Sequence, residues 1–514
     1  MFKPLYIGST SVCFELNNDL IYYNDLSYQI IVDGVKQSKE FNANVFSLFD
    51  LLPNTSYIIG TTLNDFCFEL ITAQESCCIN VMDFGAIGDG HTDDTLAVQN
   101  AINACSENGR VLFPQGIYYT RPITLKSNIT IELKKGAKML ASEDEKDYPI
   151  IPGEIECEIT KEKIQYSSWE GHPMPCYQSY ISAHFAKNIK IIGEGLIDGN
   201  GHSGIWYPDF KKHKYGRPRL LFLNKCEDIV IHGITGQNSA SWNFHPYFCN
   251  NISFFDIKVF ADKDSPNTDG CNPESCNNVK IIGSLFSVGD DCVALKSGKI
   301  YMGKTYKTPC QNVIIRNCIM QYGHGAIVLG SELAGGIKNL SISRCYFNQT
   351  DRGLRIKTRR GRGVDAIVDN IIFENIKMDN VLSPIVVNMF YFCDPDGKTE
   401  YVWSKEKLPV DECTPYIGRC HFKDMVCNDC EQTAGFFYGL PEQPIKEIII
   451  ENVKFSFKQD SKPGLPAMMT NAMECCKHGL YFNNVENVKL KNVSFNDVKG
   501  DTVIKCNVNN IEIE

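Results

Sequence analysis

No stretch of this chain is apolar enough for long enough to cross a bilayer, and the opening residues Met1-Phe-Lys-Pro-Leu-Tyr-Ile7 lack the apolar core and small-residue cleavage site of a secretory signal. The sequence as written is therefore expected to be cytoplasmic, with a secreted or periplasmic location only if a signal has been removed. There is no basic excess either: 51 Lys and Arg face 61 Asp and Glu, a net charge of -10. That balance excludes a global pull towards nucleic acid or an anionic membrane, and neither is expected as a partner. Any anionic substrate must be held by a local basic patch. An even set of cysteines is also missing; the 23 present fit buried, reduced thiols better than a disulfide framework.

What is present is 514 residues, 43% of them hydrophobic, enough to bury a large core in a major domain with a minor one attached. Residues 1–76 alternate apolar and polar positions, as in Ser11-Val-Cys-Phe-Glu-Leu16 and Tyr28-Gln-Ile-Ile-Val-Asp33, with turn residues between. They read as a small β-sandwich. The segment Leu52-Pro-Asn-Thr-Ser-Tyr57 resembles a signature of fibronectin type III domains, in which the Tyr hydroxyl ties a corner of the sandwich. The boundary falls between Gln74 and Cys78, leaving residues 77–514 as the major domain. At its start a Gly- and Asp-rich loop, Asp83 to Thr95, precedes Leu96, Val98, Ala101, Ile102 and Cys105 at helical spacing. A capping helix is expected there, with Asp93 or Asp94 as its N-cap.

From about residue 127 one unit recurs: Asn128-Ile-Thr-Ile-Glu-Leu133, Asn188-Ile-Lys-Ile-Ile192, Asp228-Ile-Val-Ile231, Asn251-Ile-Ser-Phe-Phe255 and Asn278-Val-Lys-Ile-Ile282. Further copies begin at Asn312, Asn339, Asn370, Glu447 and Asn487, and the starts at 251, 278, 312, 339 and 370 lie 27 to 34 residues apart. Short β-runs at this period, opened by Asn or Asp and closed by turns, are what a parallel β-helix needs, since a coil buries its apolar face only by stacking on its neighbours. The predicted fold is all-β: a right-handed parallel β-helix carrying a small N-terminal sandwich. The Asn residues are expected to form side-chain ladders that satisfy backbone groups at the corner. The longer intervals before Asn188 and after Asn370 predict insertions emerging as loops on one face.

Ser265-Pro-Asn-Thr-Asp-Gly270 and Gly289-Asp-Asp-Cys292 place Asp269, Asp290 and Asp291 on adjacent coils, because the Asn278 unit lies between them. Hydrolysis of a sugar acetal needs one protonated carboxyl to protonate the leaving oxygen and a second carboxylate to activate water, so three stacked aspartates point to glycosidase chemistry. On following coils lie Gly323-His-Gly325 and Arg352-Gly-Leu-Arg-Ile-Lys357, whose basic run continues to Arg362. Arg355 and Lys357 alternate with Ile356, so both point one way, towards an anionic ligand. For Arg359, Arg360 and Arg362 a solvated loop and a functional role are equally expected. The glycines beside His324 are read as room for a ligand rather than as part of a core.

Taken in order, Asn267-Thr-Asp-Gly270, Gly289-Asp-Asp291, Gly323-His-Gly325 and Arg355-Ile-Lys357 resemble the four signature motifs of glycoside hydrolase family 28, the polygalacturonases. The resemblance spans roughly residues 79–514 and implies inverting hydrolysis of α-1,4-linked galacturonic acid in a pectic polysaccharide or oligosaccharide, without a cofactor or metal. It implies Asp290 as general acid, Asp269 and Asp291 as the pair that activates water, and an acid-to-base gap of about 6.5–9.5 Å. His324 is implied to assist protonation or hold substrate, with Asn267, Arg355 and Lys357 as substrate ligands. The N-terminal sandwich, Val293-Ala-Leu-Lys-Ser-Gly298 and the insertions look closer to the exo-acting bacterial branch, in which loops block one end of a groove. Lys296 is assigned to substrate on that basis. His245 in Trp242-Asn-Phe-His-Pro246 and Arg219 in Arg217-Pro-Arg219 are assigned subsite contacts, whereas packing is expected of Trp242 and Arg217.

Cys413, Cys420, Cys427 and Cys430 with His421 have a metal-like spacing but lack the second knuckle of a zinc ribbon, and are expected to be insertion-loop thiols. Cys271, Cys276 and Cys292 border the site as packing residues. The rival readings are an endo-acting polygalacturonase, a rhamno- or xylogalacturonan hydrolase, a Ca²⁺-dependent pectate lyase, and a non-catalytic carbohydrate-binding solenoid.

Overall fold

The protein is described by a computed structural model covering residues 1–514. Up to Ile71 the chain forms two antiparallel sheets. One has three strands, Phe2–Ile7, Val12–Leu16 and Val45–Leu48; the other has four, Tyr23–Val32, Val35–Ala43, Ser56–Thr61 and Asn64–Ile71. Their alternating residues meet in a core of Phe2, Phe14, Tyr28, Phe46, Ile59 and Leu70, and the Tyr57 hydroxyl accepts a hydrogen bond from the Leu52 amide at 2.9 Å. This unit is bound to the rest by buried polar contacts. Glu15 is fully buried and accepts from Arg316 Nε at 2.6 Å, Arg344 Nη2 at 2.8 Å and Asn317 Nδ2 at 2.8 Å. The three cations around it, Arg316, Arg344 and Lys3, outweigh its burial and hold its carboxyl below the usual range.

From Cys78 onwards the strands stack into three parallel ladders that wind into a β-helix. The first ladder runs through Glu227–His232, Asn250–Phe255, Asn277–Ile282, Cys310–Arg316 and Ile337–Ser343; the second through Thr235–Gln237, Lys258–Phe260, Leu285–Val288 and Ile319–Tyr322; the third through Phe244–Tyr247, Val293–Leu295, Ile327–Gly330 and Arg352–Lys357. In-register pairing stacks like on like inside the coil: Ile252, Val279, Val313, Leu340, Ile371, Cys420 and Ile448 are successive partners. The result is one continuous apolar core running from Val81 to Leu490. Along a strand every second residue enters it, so a period-two pattern in the sequence becomes a wall one residue thick.

The asparagines opening the repeats stand in the left-handed region, with φ of 58° at Asn128, 53° at Asn188, 56° at Asn312, 55° at Asn339 and 56° at Asn370. Asn tolerates this conformation better than branched residues do, and it turns the chain sharply from the third ladder into the first. The side chains also bond along the stack: Asn312 donates to Asn277 at 2.8 Å, Asn339 to Asn312 at 3.1 Å and Asn370 to Asn339 at 3.0 Å. The predicted ladder is present, and the backbone demand is the reason Asn recurs at this corner.

Other expectations need correction. The helix Thr95–Ala104 caps the first coil with Val98, Ala101 and Ile102, but Leu96 is exposed. Asp94 occupies the N-cap as expected and accepts from Val98 N through its backbone carbonyl at 2.9 Å, but its carboxylate clamps the Ile87 and Gly88 amides at 2.7 and 3.0 Å, and it is Asp93 whose side chain accepts from Thr95 N at 3.0 Å. Cys420, Cys427 and Cys430 are not loop thiols, since they face the core from the strand Arg419–Cys430 while His421 faces outward. Inward and outward residues of one strand cannot converge on one ion. The arginines 359, 360 and 362 are buried rather than solvated.

The insertions leave the coils on either side of the third ladder. Residues 142–180 form short antiparallel pairs, among them Ser168–Trp169 with His172–Pro173; residues 389–415 and a third segment, 458–477, lie beyond the strand Ser383–Asn388. We expect Asn312→Ala to lower stability in denaturant unfolding by about 1 kcal/mol, because Ala is strained at this φ and breaks the ladder, with Asn312→Gly costing less.

Candidate active site

The third ladder brings the motif residues together through backbone bonds. Asn243 N donates to Asp269 O at 2.9 Å, Gly270 N to Asp291 O at 3.0 Å, Cys292 N to Gly325 O at 2.8 Å and Ala326 N to Arg352 O at 2.8 Å. Asp269, the Asp290–Asp291 pair, His324 and Arg355 with Lys357 thus occupy consecutive coils at the corner where the second ladder passes into the third. They line a cavity of about 280 Å³ together with Asn267, Lys296, Trp242, Glu170, Ser331, Glu332, Tyr391, Cys393 and Met468.

The glycines of the motifs serve the stacking, which corrects their reading as ligand room. A Cβ on Gly323 would lie 2.5 Å from Asp290 O, one on Gly270 2.4 Å from Cys292 O, and one on Gly325 2.4 Å from Val328 Cγ2. At Gly270 and Gly323 the adjacent coil comes too close for a side chain, and at Gly325 the obstacle is Val328 of the same coil. His324 itself is no core residue: its side chain is 57% exposed and its Nδ1 lies 2.9 Å from Asp351 Oδ2. That hydrogen bond, with the nearby Asp290 and Asp291, raises its pKa against the opposing effect of burial.

The three aspartates have different surroundings. Asp291 is buried, and burial alone would favour its neutral form, but Lys357, Arg355 and Lys296 together outweigh that and hold it below the usual carboxylate range. Lys357 Nζ lies 2.8 Å from its Oδ2; its Oδ1 has no hydrogen-bond partner and faces Arg355 Nη1 at 3.7 Å. Asp290 is the more accessible of the pair, and burial plus the charge of Asp291 push it up, partly offset by His324 and Lys357. Asp269 is pushed well up by burial and by Asp290 and Asp291, against Lys296 and a 3.0 Å hydrogen bond from Asn272 Nδ2. Carboxylates this close titrate as one set, with the charge resting on Asp291. Such a cluster holds a proton donor and a proton acceptor at the same pH.

Arg355 has donors to spare: its one hydrogen bond is from Nη2 to the thioether of Met468, at 2.9 Å, a weak acceptor for a guanidinium with five N–H groups. A ligand carboxylate in the cavity would be a far better partner. Asn267 is fixed from behind by Arg217, whose Nη2 donates to its Oδ1 at 2.7 Å.

His245 and Arg219 do not reach the cavity. His245 is fully buried with Nε2 2.9 Å from Glu274 Oε2, and Arg219 lies against the rings of Trp169, Phe222 and Trp242. Both support Trp242, which itself lines the cavity although packing alone was expected of it. Sequence reasoning missed Glu170, Glu332, Tyr391 and Met468. The first, third and fourth come from insertions with no repeat phase to place them. Glu332 follows the strand Ile327–Gly330 on the coil after Lys296, two residues past the position that the strand register sets opposite Lys296.

The insertions wall the cavity. From one side the 168–173 hairpin enters, with Trp169 stacked on Trp242 at 6.2 Å and Gly171 O accepting from Lys299 N at 3.0 Å. From the other, Tyr391 and Met468 are held by Asn388 Nδ2 bonding to Met468 O at 3.1 Å and by Arg352 Nε bonding to Pro466 O at 2.9 Å. The buried arginines anchor this wall: Arg360 makes a two-point contact with Glu442 at 2.6 and 2.9 Å and also bonds Ser404 O at 2.6 Å, while Arg359 reaches Asp396 at 2.7 Å.

Comparison with known proteins agrees with this geometry. The family model described as glycosyl hydrolases family 28 matches residues 127–405, and one described as rhamnogalacturonase A/epimerase, pectate lyase-like matches residues 78–132. A probable polygalacturonase of Vitis vinifera is 33% identical over 393 residues, covering 74% of this chain and 75% of that relative. An exo-poly-alpha-D-galacturonosidase of Dickeya chrysanthemi is 27% identical over 420 residues, covering 73% of this chain and 66% of the relative. The solved structure of a family 28 exopolygalacturonase from Yersinia enterocolitica superposes with a TM-score of 0.73 at 20% identity, over 100% of this chain and 98% of that one. The last likeness speaks for the fold, sandwich included.

Because the hydrogen bond to Asp351 raises the proton affinity of His324, Asp351→Asn is expected to lower the His324 titration midpoint, followed by its ring proton resonances in NMR. An unchanged midpoint would remove Asp351 from this role.

Proposed function

The chain belongs to glycosyl hydrolase family 28, and from that premise we propose that it removes galacturonate units from the ends of α-1,4-linked polygalacturonate or its oligosaccharides, with inversion. The observation that carries the exo-acting part is the walled cavity, with the 168–173 hairpin on one side and Tyr391 with Met468 on the other. A chain end fits such a pocket, whereas an internal segment needs passage in both directions.

In this reading Asp290 protonates the glycosidic oxygen as the bond to the anomeric carbon breaks. Its accessibility in the cavity and its raised proton affinity suit it to carry a proton at mildly acid pH. Asp291, held ionised by Lys357, supplies the negative charge that activates a water, and Asp269 shares the proton that water gives up as it attacks from the opposite face. His324, whose proton affinity Asp351 raises, stands beside Asp290 and in its protonated form stabilises negative charge near the departing oxygen. Arg355 takes the galacturonate carboxylate. The lining holds five carboxyl groups, Glu170, Asp269, Asp290, Asp291 and Glu332, against Lys296, Arg355, Lys357 and His324. An anionic sugar is therefore favoured only where its carboxylate meets the Arg355 fork, which fixes its orientation as well as its binding.

Two outcomes test the proposal. Early digestion of polygalacturonate should yield monomer or dimer only; a ladder of intermediate oligomers would establish internal cutting instead. Asp290→Asn should reduce release of reducing sugar by about 10²–10⁴-fold with little change in KM. Unchanged release would exclude Asp290 as the acid.

A further inference from the structure

One line of charge in the cavity has no part in the scheme above. Glu332 Oε2 lies 3.1 Å from Lys296 Nζ, and Lys296 Nζ lies 3.9 Å from Asp269 Oδ2 and 4.6 Å from the centre of the Trp242 ring. All three charged side chains are at most 10% exposed. Ser331 Oγ donates to the other oxygen of Glu332 at 3.1 Å. The lysine backbone is equally fixed, its amide bonded to Pro273 O and its carbonyl to Ser275 N, both at 2.9 Å. The ammonium donates one hydrogen bond, to Glu332, while Asp269 lies at ion-pair distance and the Trp242 ring covers a third side.

Asp269 needs this cation more than its neighbours do. Lys357 and Arg355 sit against Asp291, whereas Lys296 is the one cation within 4 Å of Asp269. The other groups facing Asp269 are the carboxyls of Asp290 and Asp291, the amide of Asn272 and, further off, the guanidinium of Arg217. Around Lys296 are Glu332, Asp269 and Asp291, with Glu274 behind; around Glu332 are Lys299, Arg362, Lys357 and Glu170. Burial and the charge of Asp291 push the proton affinity of Asp269 well up even with Lys296 present, and loss of this countercharge would push it higher still.

We propose that Lys296 is a positioning residue supplying the countercharge against which Asp269 accepts a proton, and that Glu332, paired with the same ammonium, opposes part of that charge as Asp269 feels it. The role given to Asp269 rests on the hydrolytic reading above; the charge relation between the three side chains does not. This assigns Lys296 to the water-activating carboxylate rather than to substrate.

The two members of the line act on Asp269 with opposite sign, which a merely structural role would not produce. Lys296→Met removes a positive charge, so the ascending acid limb of kcat/KM should move to higher pH by about 1–2 units, with kcat falling and KM little changed. Lys296→Arg should return the limb towards its original position. Glu332→Gln removes a negative charge and should move the limb to lower pH, by up to about 1 unit. The same shifts are to be read without turnover, from the carboxyl ¹³C resonance of Asp269 in protein labelled at aspartate and assigned with Asp269→Asn. Opposite displacements of the Asp269 midpoint in Lys296→Met and Glu332→Gln support the proposal. Displacements in one direction, or none, overturn it, as does a Lys296→Met enzyme whose only change is a raised KM, which would make Lys296 a substrate ligand. A wild-type protein that leaves polygalacturonate intact would sink the hydrolytic reading alone, since the ¹³C titration still decides the charge relation.

Discussion

Hydrogen bonding from coil to coil, in strict register, is the constraint on which everything else in this protein depends. Each coil is too thin to bury its own apolar face, so its stability comes from neighbours above and below. Register then fixes not only Ile252 over Val279 and Val313 but also what stands at the corners between ladders. Asp269, Asp291, Gly325 and Arg352 are linked backbone to backbone, so the catalytic side chains are spaced by the sheet itself. A strand separation of about 4.8 Å is a rigid ruler. Rigid spacing of this kind is what an active site needs if its groups are to meet a sugar without rearranging.

Stacking also imposes a cost, because it brings like charges together. Three aspartates at one corner would repel one another and resist burial, and the same ruler supplies the answer by placing Lys296, His324, Arg355 and Lys357 on the same or following coils. The cations are distributed unevenly. Two lie against Asp291, one lies near Asp269, and the partner of His324 is Asp351 rather than the acid. Uneven pairing separates the proton affinities of chemically identical groups, and that separation is the basis of division of labour among them.

The period of the Asn-initiated units made the coils legible, and the coils made the aspartate cluster legible, because both rest on the repeat. Asn312 and Asn339 announced the corner by residue type alone, since few other residues accept the left-handed backbone found there. What escaped was whatever the repeat does not index. Tyr391, Met468 and Glu170 belong to insertions whose path is set by tertiary contacts, and the 458–477 segment gave no periodic signal at all. Burial of charge was misjudged for a related reason. Arg359, Arg360 and Arg362 look like a solvated run until Asp396, Glu442 and Asp394, between 32 and 82 residues further along, are seen to neutralise them. His245 and Arg219 were placed one layer too far forward, since sequence shows which strand carries a residue but not whether a tryptophan stands between it and the cavity.

Those buried arginines bear on how this architecture changes over evolutionary time. Arg359 and Arg360 follow directly on the strand that carries Arg355 and Lys357, and their counter-ions and carbonyl acceptors lie in or near the 389–415 wall. Removing the 389–415 wall would take Asp396 and the carbonyls of Cys393, Tyr401, Ser404 and Glu406 from Arg359 and Arg360, leaving Arg360 with Glu442 alone, and removing the arginines would leave those acceptors without their donors. The wall and the residues just beyond the strand of Arg355 and Lys357 are therefore coupled, so that a change in one is felt in the other.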